Sequence, residues 1–406
     1  MMCTILNNYQ FDTFDSIGQL SPFNNFPDNF EFPLSYYPQY LALLEQMEDK
    51  CCNQLFVAVK QDHKLRAFIL FQQAIFKGKE ALSFLPTEKE KGITSCFKQM
   101  LSNLVIGKVS DMELDLAVSG NLFFTGDNGF YFDKNVTAHE KREIIAELVD
   151  YLKEELKSNQ KIKAIIFMDF YQEETAFDFL ETKNFSVFPT EPDLFMKIEA
   201  NWLVFSDYLA AISSKYRLKY NKVKNQNGNL EIKSLNANDI IENEAIIWQL
   251  YKNVAENASF NLGILPKDYF SILKANLGEK FVVEGYFLED KLVGFTSMFM
   301  DKNYLEDHYI GLDYEINAQF QVYHRMLYEY VRFAIDNRLS SIHYGRTATE
   351  IKTTIGAYPK EMKAYLCHQS KLANYFIQPL TKNVVAKKYT IRNPFKKVGL
   401  PELEKG

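Results

Sequence analysis

YLEDHYIGLDYEINAQFQVYHRMLYEYVRFAIDNRLSSIHYGRTATEIKTTIGA, residues 304–357, is the stretch whose reading decides the fold. It predicts strand, buried helix, short strand and capped helix, with the unusual polar residues at the junctions. Leu305 to Ile310 has strand spacing, yet it places Glu306 and His308 on one face and Asp307 and Tyr309 on the other. From Ala318 to Asp336, Phe320, Tyr323, Leu327, Tyr330 and Ala334 keep helical spacing, while Val322, Met326 and Phe333 make the opposite face apolar too, so one long helix buried on most sides is expected. Asn337 suits the left-handed residue that closes it, and Ser341 to Tyr344 forms a strand ending at Gly345. Thr347 and Glu350 make a Thr-x-x-Glu capping box opening a helix that Gly356 ends. Arg346 then sits where a strand's carboxyl end meets a helix amino terminus, a favourable place for phosphate or a developing oxyanion.

The rest of the chain is organised as two halves with one succession of elements. In the first, residues 1–35 read as an irregular arm, Tyr36 to Met47 as a helix, and Leu55 to Val59 and Leu65 to Phe76 as a hairpin across Gln61-Asp62-His63-Lys64. Phe84 to Leu104 is expected to be helical in its later part, and Asn121 to Phe132 to return to strand around the Gly126-Asp127-Asn128-Gly129 turn. Thr137 and Glu140 open a charged helix to about Lys157. Ile162 to Met168 is an apolar strand, Glu173 to Thr182 helical, and Phe185 to Phe188 closes the half. In the second, Trp202 to Lys224 and Ile240 to Asn257 are helices, and Phe281 to Phe287 and Leu292 to Met300 a hairpin. The quoted stretch follows, and Met362 to His368 is a last strand. Such a pattern reads as an internal duplication. Where the second half has Ser341-Ile342-His343-Tyr344-Gly345-Arg346, the first has Ala164-Ile165-Ile166-Phe167-Met168-Asp169, so the chemistry is expected in the second copy and support in the first. The divisions are an arm at 1–35, a first domain at 36–200, a second at 201–375 and a basic tail at 376–406.

The 406 residues suffice for two such domains. With 34 Phe and 24 Tyr, large sheets or deep grooves are expected. A net charge of −6 excludes non-specific nucleic-acid binding by the whole molecule and leaves only local basic patches for such a partner. The five cysteines form neither a C-x-x-C pair nor a secreted framework. No signal-peptide pattern and no uninterrupted apolar run of about 18 residues is present, so a soluble cytoplasmic protein is expected.

Several segments carry a family resemblance: the basic helix SKYRLKYNKVKN, HYIGLDYE, YEYVRFAIDN and above all HYGRTATEIKTTIGA. They resemble the bacterial peptidoglycan biosynthesis/recognition family, part of the Fem-like tandem GNAT acyltransferases. The resemblance runs from about Tyr36 to the end and is strongest from His308 to Ala357. It implies an α/β (α+β) chain of two tandem GNAT-like (acyl-CoA N-acyltransferase) domains with mixed sheets, acyl transfer from a thioester or ester donor to an amine, and a cleft between the halves. Ordinary GNAT enzymes carry a glycine-rich pyrophosphate loop where this chain has Asp313 to Gln319, which departs from the standard coenzyme A grip. No permanently bound cofactor is expected. The donor is acyl-CoA or acyl-carrier protein, with aminoacyl-tRNA a third option although no long helical arm is evident.

Aminolysis needs a proton acceptor and donors facing the new oxyanion. His308 is the expected base, or else a strand histidine bonded to Glu306 or Tyr309. Tyr309 is a proton donor and Arg346 a bidentate anion grip, or a salt-bridge partner. Asp313 and Glu315 hold the substrate ammonium or satisfy loop amides. Tyr323 is a groove wall or core, Thr347 belongs to the helix start, and Lys352 adds charge one turn on. Arg217 and Lys219, on the basic helix, contact a phosphorylated substrate, acyl-carrier protein or tRNA end, or form a solvated face. A metal centre from Glu306, His308, His324 or His343 lacks ligand spacing, and no metal is expected. The acceptor is a small amine or a lipid or peptidoglycan precursor, with a lipid amine or amino acid taking a long acyl chain as the alternative. A non-catalytic binder of envelope glycan is the reading from another class. The basic tail can touch an anionic membrane.

Overall fold

A computed structural model describes residues 2–6, 8–19, 30, 32–47, 52–77, 113–158, 162–257, 264–382, 384 and 388–396. The expected helix over Phe84 to Leu104 lies outside the described residues. The chain forms two compact units. One is built from Met1–Thr190 with Met362–Ala386, the other from Glu191–Ala258, Ile264–Glu361 and Lys387–Gly406. The return of Met362–Ala386 to the first unit is a feature that a linear division at 200 and 375 does not contain.

The first unit contains strands β1 (Met2–Leu6), β2 (Tyr9–Phe14), β3 (Asn53–Gln61), β4 (Lys64–Lys77), β5 (Glu113–Ser119), β6 (Phe130–Phe132) and β7 (Ile162–Tyr171), with helices α1 (Pro38–Gln46) and α2 (Ala138–Ser158). Two strands therefore stand where residues 1–35 were expected to be irregular. Asn121 to Thr125 is loop instead of strand ahead of the expected turn at Gly126 to Gly129, and only Asp178–Lys183 of the expected helix after β7 is helical, as a 3-10 turn. Both central residues of the β3–β4 turn are left-handed, Asp62 at φ 49° and His63 at φ 60°. This primed geometry matches the strand twist and makes a two-residue hairpin. β5 and β7 pair in parallel, joined through α2. The next strand beyond β7 comes from the far end of the sequence, Met362 to His368, antiparallel in the register Met362↔Tyr171 to His368↔Ala164. Ile144, Ile145, Leu148, Val149 and Leu152 of α2 pack with Phe167, Phe170, Tyr365 and Cys367 in the core of this unit.

The second unit repeats the scheme. Its helices are α3 (Phe205–Ala211), α4 (Ser214–Gln226), α5 (Ala237–Glu242), α6 (Glu244–Asn257), α7 (Tyr269–Leu277), α8 (Tyr314–Phe320), α9 (Val322–Asp336) and α10 (Thr349–Thr353). Its strands are the later part of β8 (Ser186–Lys197), then β9 (Leu230–Ser234), β10 (Phe281–Leu288), β11 (Lys291–Asp301), β12 (Tyr304–Leu312) and β13 (Ser341–Gly345), while β14 (Tyr358–His368) leaves it for the first unit. The order is β8-β13-β12-β11-β10-β9, antiparallel except for the parallel pair β12/β13. The β10–β11 hairpin turns through left-handed Glu289 and Asp290, as β3–β4 does.

The long helix expected from Ala318 to Asp336 is broken at Gln321, which is left-handed at φ 51° and separates α8 from α9. Polar side chains hold the break: Asn317 Oδ1 accepts from Tyr323 N at 2.9 Å, and Asn227 Nδ2 donates to Phe320 O. Apolar periodicity runs through the break undisturbed, so it gave no sign of it. At the other end Asn337 is right-handed and Arg338 takes the left-handed place at φ 58°.

Candidate functional site

The ladder between β12 and β13 spans three pairs, Tyr304↔Ser341 to Glu306↔His343, and stops while both strands continue. Carboxyl ends of parallel strands are where open α/β sheets place ligands. Here this region also buries charged side chains, Asp193, Glu306 and Lys352. Ser297 faces Tyr309 and Met298 faces Asp307, so His308 is the extra residue of a β-bulge. The Ser297 hydroxyl closes it, accepting from Tyr309 N at 3.0 Å and donating to Tyr309 O at 2.9 Å. The bulge breaks the alternation expected along β12. The Tyr309 ring joins His308 against Tyr269 and Tyr251 instead of following Asp307.

His343, on β13, lies between two buried carboxylates. Its Nδ1 is 2.6 Å from Glu306 Oε2 and its Nε2 is 2.6 Å from Asp193 Oδ1, on the last part of β8. Phe195 stacks flat on the imidazole, with centroids 4.5 Å apart and planes 2° from parallel. A neutral ring has only one N–H to donate, whereas two ionised carboxylates require two. Burial alone would lower the pKa of His343, but Glu306 and Asp193 outweigh it and raise it to about 10. His343 is therefore a fixed imidazolium at neutral pH. Burial pushes Glu306 up to about 7, against the pull of His343.

Across the strand, Asp307 accepts a 2.6 Å hydrogen bond from Tyr330 of α9. Burial raises its pKa, and the charge of Lys352 opposes that. Lys352, only 4% exposed, donates to the carbonyls of Tyr344 at 2.6 Å and Arg346 at 3.0 Å. Its ammonium, lowered in pKa by burial, thus ties down the loop after β13, where Gly345, Thr347 and Ala348 have φ of 61°, 72° and 50°. A β-branched residue in that region is strained, and such strain clusters at functional sites.

Other expected site residues have different surroundings. His308 lies among Phe281, Phe299 and Tyr309, with Nε2 2.6 Å from the Tyr269 hydroxyl. Burial drives its pKa well below the usual imidazole value, so it is neutral and weakly basic, which does not suit the expected base. The capping box at Thr347 does not form: α10 starts at Thr349 behind left-handed Ala348, with no side-chain cap. Glu350 instead accepts from Thr390 N at 3.2 Å and pairs with Arg392 at 3.5 Å. Asp313 caps α8, its Oδ1 accepting from Glu315 N and Ile316 N at 2.9 and 3.0 Å, while Glu315 is exposed in the first turn. Tyr323 packs with the cores under α9, and burial raises its pKa. Arg217 closes the end of α3 through the carbonyls of Leu209 and Ile212, and Lys219 reaches Thr354 Oγ1 at 3.3 Å. Arg346, partly buried, follows Gly345 on the strained loop. The sequence reading missed Asp193 and gave His343 no part in acyl transfer. The one signal was a histidine three residues before Arg346 in a strand that pairs with β12.

The sequence pattern of a family described as FemAB-like, peptidoglycan biosynthesis/recognition, matches residues 124–396. No curated protein matches the sequence. Among solved structures, a tandem GNAT protein from the clavulanic acid biosynthesis pathway superposes with TM-score 0.51 at 8% identity, over 89% of this chain and 99% of that one. FemX gives TM-score 0.48 at 12% identity, over 89% and 97%. A probable N-acyltransferase of Enterococcus faecalis gives 0.43 at 11%, over 89% and 72%. The architecture is the tandem GNAT fold. With about two thirds of its length matched, the chain belongs to the FemAB-like family of peptidoglycan biosynthesis/recognition proteins.

Proposed function

We propose that the protein is an N-acyltransferase that moves an acyl group from a thioester or ester donor to a primary amine of a peptidoglycan precursor, at the carboxyl ends of β12 and β13. The observation that carries this reading is the Asp193–His343–Glu306 chain at the point where the β12/β13 ladder stops. A carboxyl with a pKa of about 7 is matched to proton transfer at neutral pH, and perturbed groups of this kind concentrate at functional sites.

In this reading the acceptor ammonium gives its proton to the Glu306 carboxylate. The amine nitrogen then bonds to the acyl carbon and gives up its second proton to the departing thiolate or alkoxide as the C–S or C–O bond of the donor breaks, and the proton held on Glu306 is released to solvent. His343 and Asp193 position Glu306 without exchanging protons with substrate. Arg346 grips an anionic part of the donor, Glu315 faces the acceptor, and His308 and Tyr309 are walls. The donor is acyl-CoA, acyl-carrier protein or an aminoacyl ester on tRNA.

The test is to incubate purified protein with each donor class and a precursor bearing a free amine, and to follow the amide by mass. Glu306→Gln is expected to lower the rate by about 10²–10⁴-fold and to remove the limb of the pH profile near 7. Wild-type turnover by that variant would refute the assignment of the base. No amide with any donor would favour a non-catalytic envelope-binding protein.

A further inference from the structure

The first unit has a pocket of its own. About 390 Å³ in volume, it is lined by Asn128, Phe130, Phe132, Lys141, Glu174, Thr175, Ala176 and Phe177. It sits where the connection from β5 enters α2 and where the chain leaves β7, at the carboxyl ends of that unit's parallel pair. Its size falls within the range of small-molecule sites, about 300–1,000 Å³, and its lining has their usual form of apolar walls with a few polar groups.

Two opposite charges line this pocket, and neither is in an ion pair among the described residues. Glu174 makes no ion pair among the described residues; its carboxylate takes a backbone hydrogen bond from Tyr171 and a long contact, 3.4 Å, from Asn128 Nδ2. Burial raises its pKa, opposed first by that backbone hydrogen bond and then by the charges of Lys363 and Lys141. The Lys141 ammonium lies 5.2 Å from the centre of the Phe132 ring, with no carboxylate within salt-bridge distance among the described residues. Aromatic walls lining a pocket with a carboxylate and an ammonium outside any ion pair match a molecule with an apolar body and both charges.

We propose that this pocket binds a zwitterionic α-amino acid with an apolar side chain, its ammonium on Glu174, its carboxylate on Lys141 and its side chain against Phe130, Phe132 and Phe177. The first unit is then a ligand-binding module, whatever the second unit does. The inference does not rest on acyl transfer.

Calorimetric titration of the full chain with L-leucine and L-phenylalanine tests it, alongside N-acetyl-L-leucine, L-leucine methyl ester and the dipeptide Leu-Leu. Saturable binding of the free amino acids is expected, weakened at least tenfold by acetylation and by esterification. Glu174→Gln should weaken L-leucine at least tenfold and leave N-acetyl-L-leucine unchanged; Lys141→Met should do the same for the ester. Tighter binding of Leu-Leu than of L-leucine would overturn a free amino acid in favour of a peptide. No saturation by either amino acid, or equal binding by wild type and both variants with unchanged melting temperatures, would overturn the site. Phe177→Leu, which keeps the wall apolar, should shift preference from phenylalanine to leucine, and an unchanged preference would count against the side-chain placement.

Discussion

Replacing His343 with leucine removes the one cation between Asp193 and Glu306. Both carboxylates are nearly inaccessible, with side-chain exposure of 0% and 8%, so neither can recover its hydration without rearrangement. Taking one partner from a buried ion pair destabilises by about 3–5 kcal/mol, because the remaining charge is uncompensated. Here two charges are left, with Asp307 on the same strand adding a third carboxyl, whose pKa the charge of Lys352 lowers. His343→Leu is therefore expected to lose about 3–5 kcal/mol in urea unfolding at pH 8, followed by fluorescence. If that loss is the orphaned carboxylates, it must be partly recovered by neutralising one of them. The double variant His343→Leu, Glu306→Gln should thus lose less than the sum of the two single variants, by about 1–3 kcal/mol. A loss under about 1 kcal/mol for His343→Leu, or a double variant additive within about 0.5 kcal/mol, would refute the buried imidazolium.

The same groups fix a pH dependence. The folded-state pKa of His343, about 10, lies above its unfolded value of about 6.5, so its stabilisation is complete below about pH 6.5 and is lost as pH rises toward 10. Glu306, raised to about 7, acts in the same direction between about pH 4.5 and 7, since the folded state keeps the proton that the unfolded state releases. The urea midpoint should fall from pH 5 to pH 9.5 in wild type and vary less in the double variant; a midpoint that rises with pH contradicts both assignments. Thr137→Ala should lower stability by about 1 kcal/mol, since Thr137 and Glu140 form the reciprocal cap of α2. Thr347→Gly should leave thermal stability unchanged or raised by up to about 1 kcal/mol, because relief of left-handed strain outweighs chain entropy; a clear loss would mean that the Thr347 side chain holds the loop. His308→Phe should cost about 1–3 kcal/mol through loss of its hydrogen bond with the Tyr269 hydroxyl, with the pH profile of any transferase activity unmoved. A lost or shifted limb would return His308 to the role of base.

Local rules carried much of both units. Paired turn residues marked the hairpins at Asp62-His63 and Glu289-Asp290, and helical spacing marked α6 and α9. The Thr-x-x-Glu pattern was right at Thr137 and wrong at Thr347, although the residues are the same. At Thr347 the chain has already turned left-handed after Gly345, and Glu350 is drawn to Arg392 instead. Strand alternation placed Asp307 correctly opposite Glu306, and then failed at Tyr309, because one bulged residue resets the alternation and leaves no mark in a single sequence.

From its own residues the sequence determined the two-fold succession of elements and the α/β class, because turn preference and apolar spacing act between near neighbours. The site was decided elsewhere. Asp193 meets His343 across 150 positions of sequence, and Met362 to His368 pairs with β7. Which buried acid lies beside which imidazole depends on strand order and register, and with them go the charge of His343 and the neutrality of His308. Protonation inside a protein is set by burial and by the nearest opposite charge, and both exist only once distant segments have packed together.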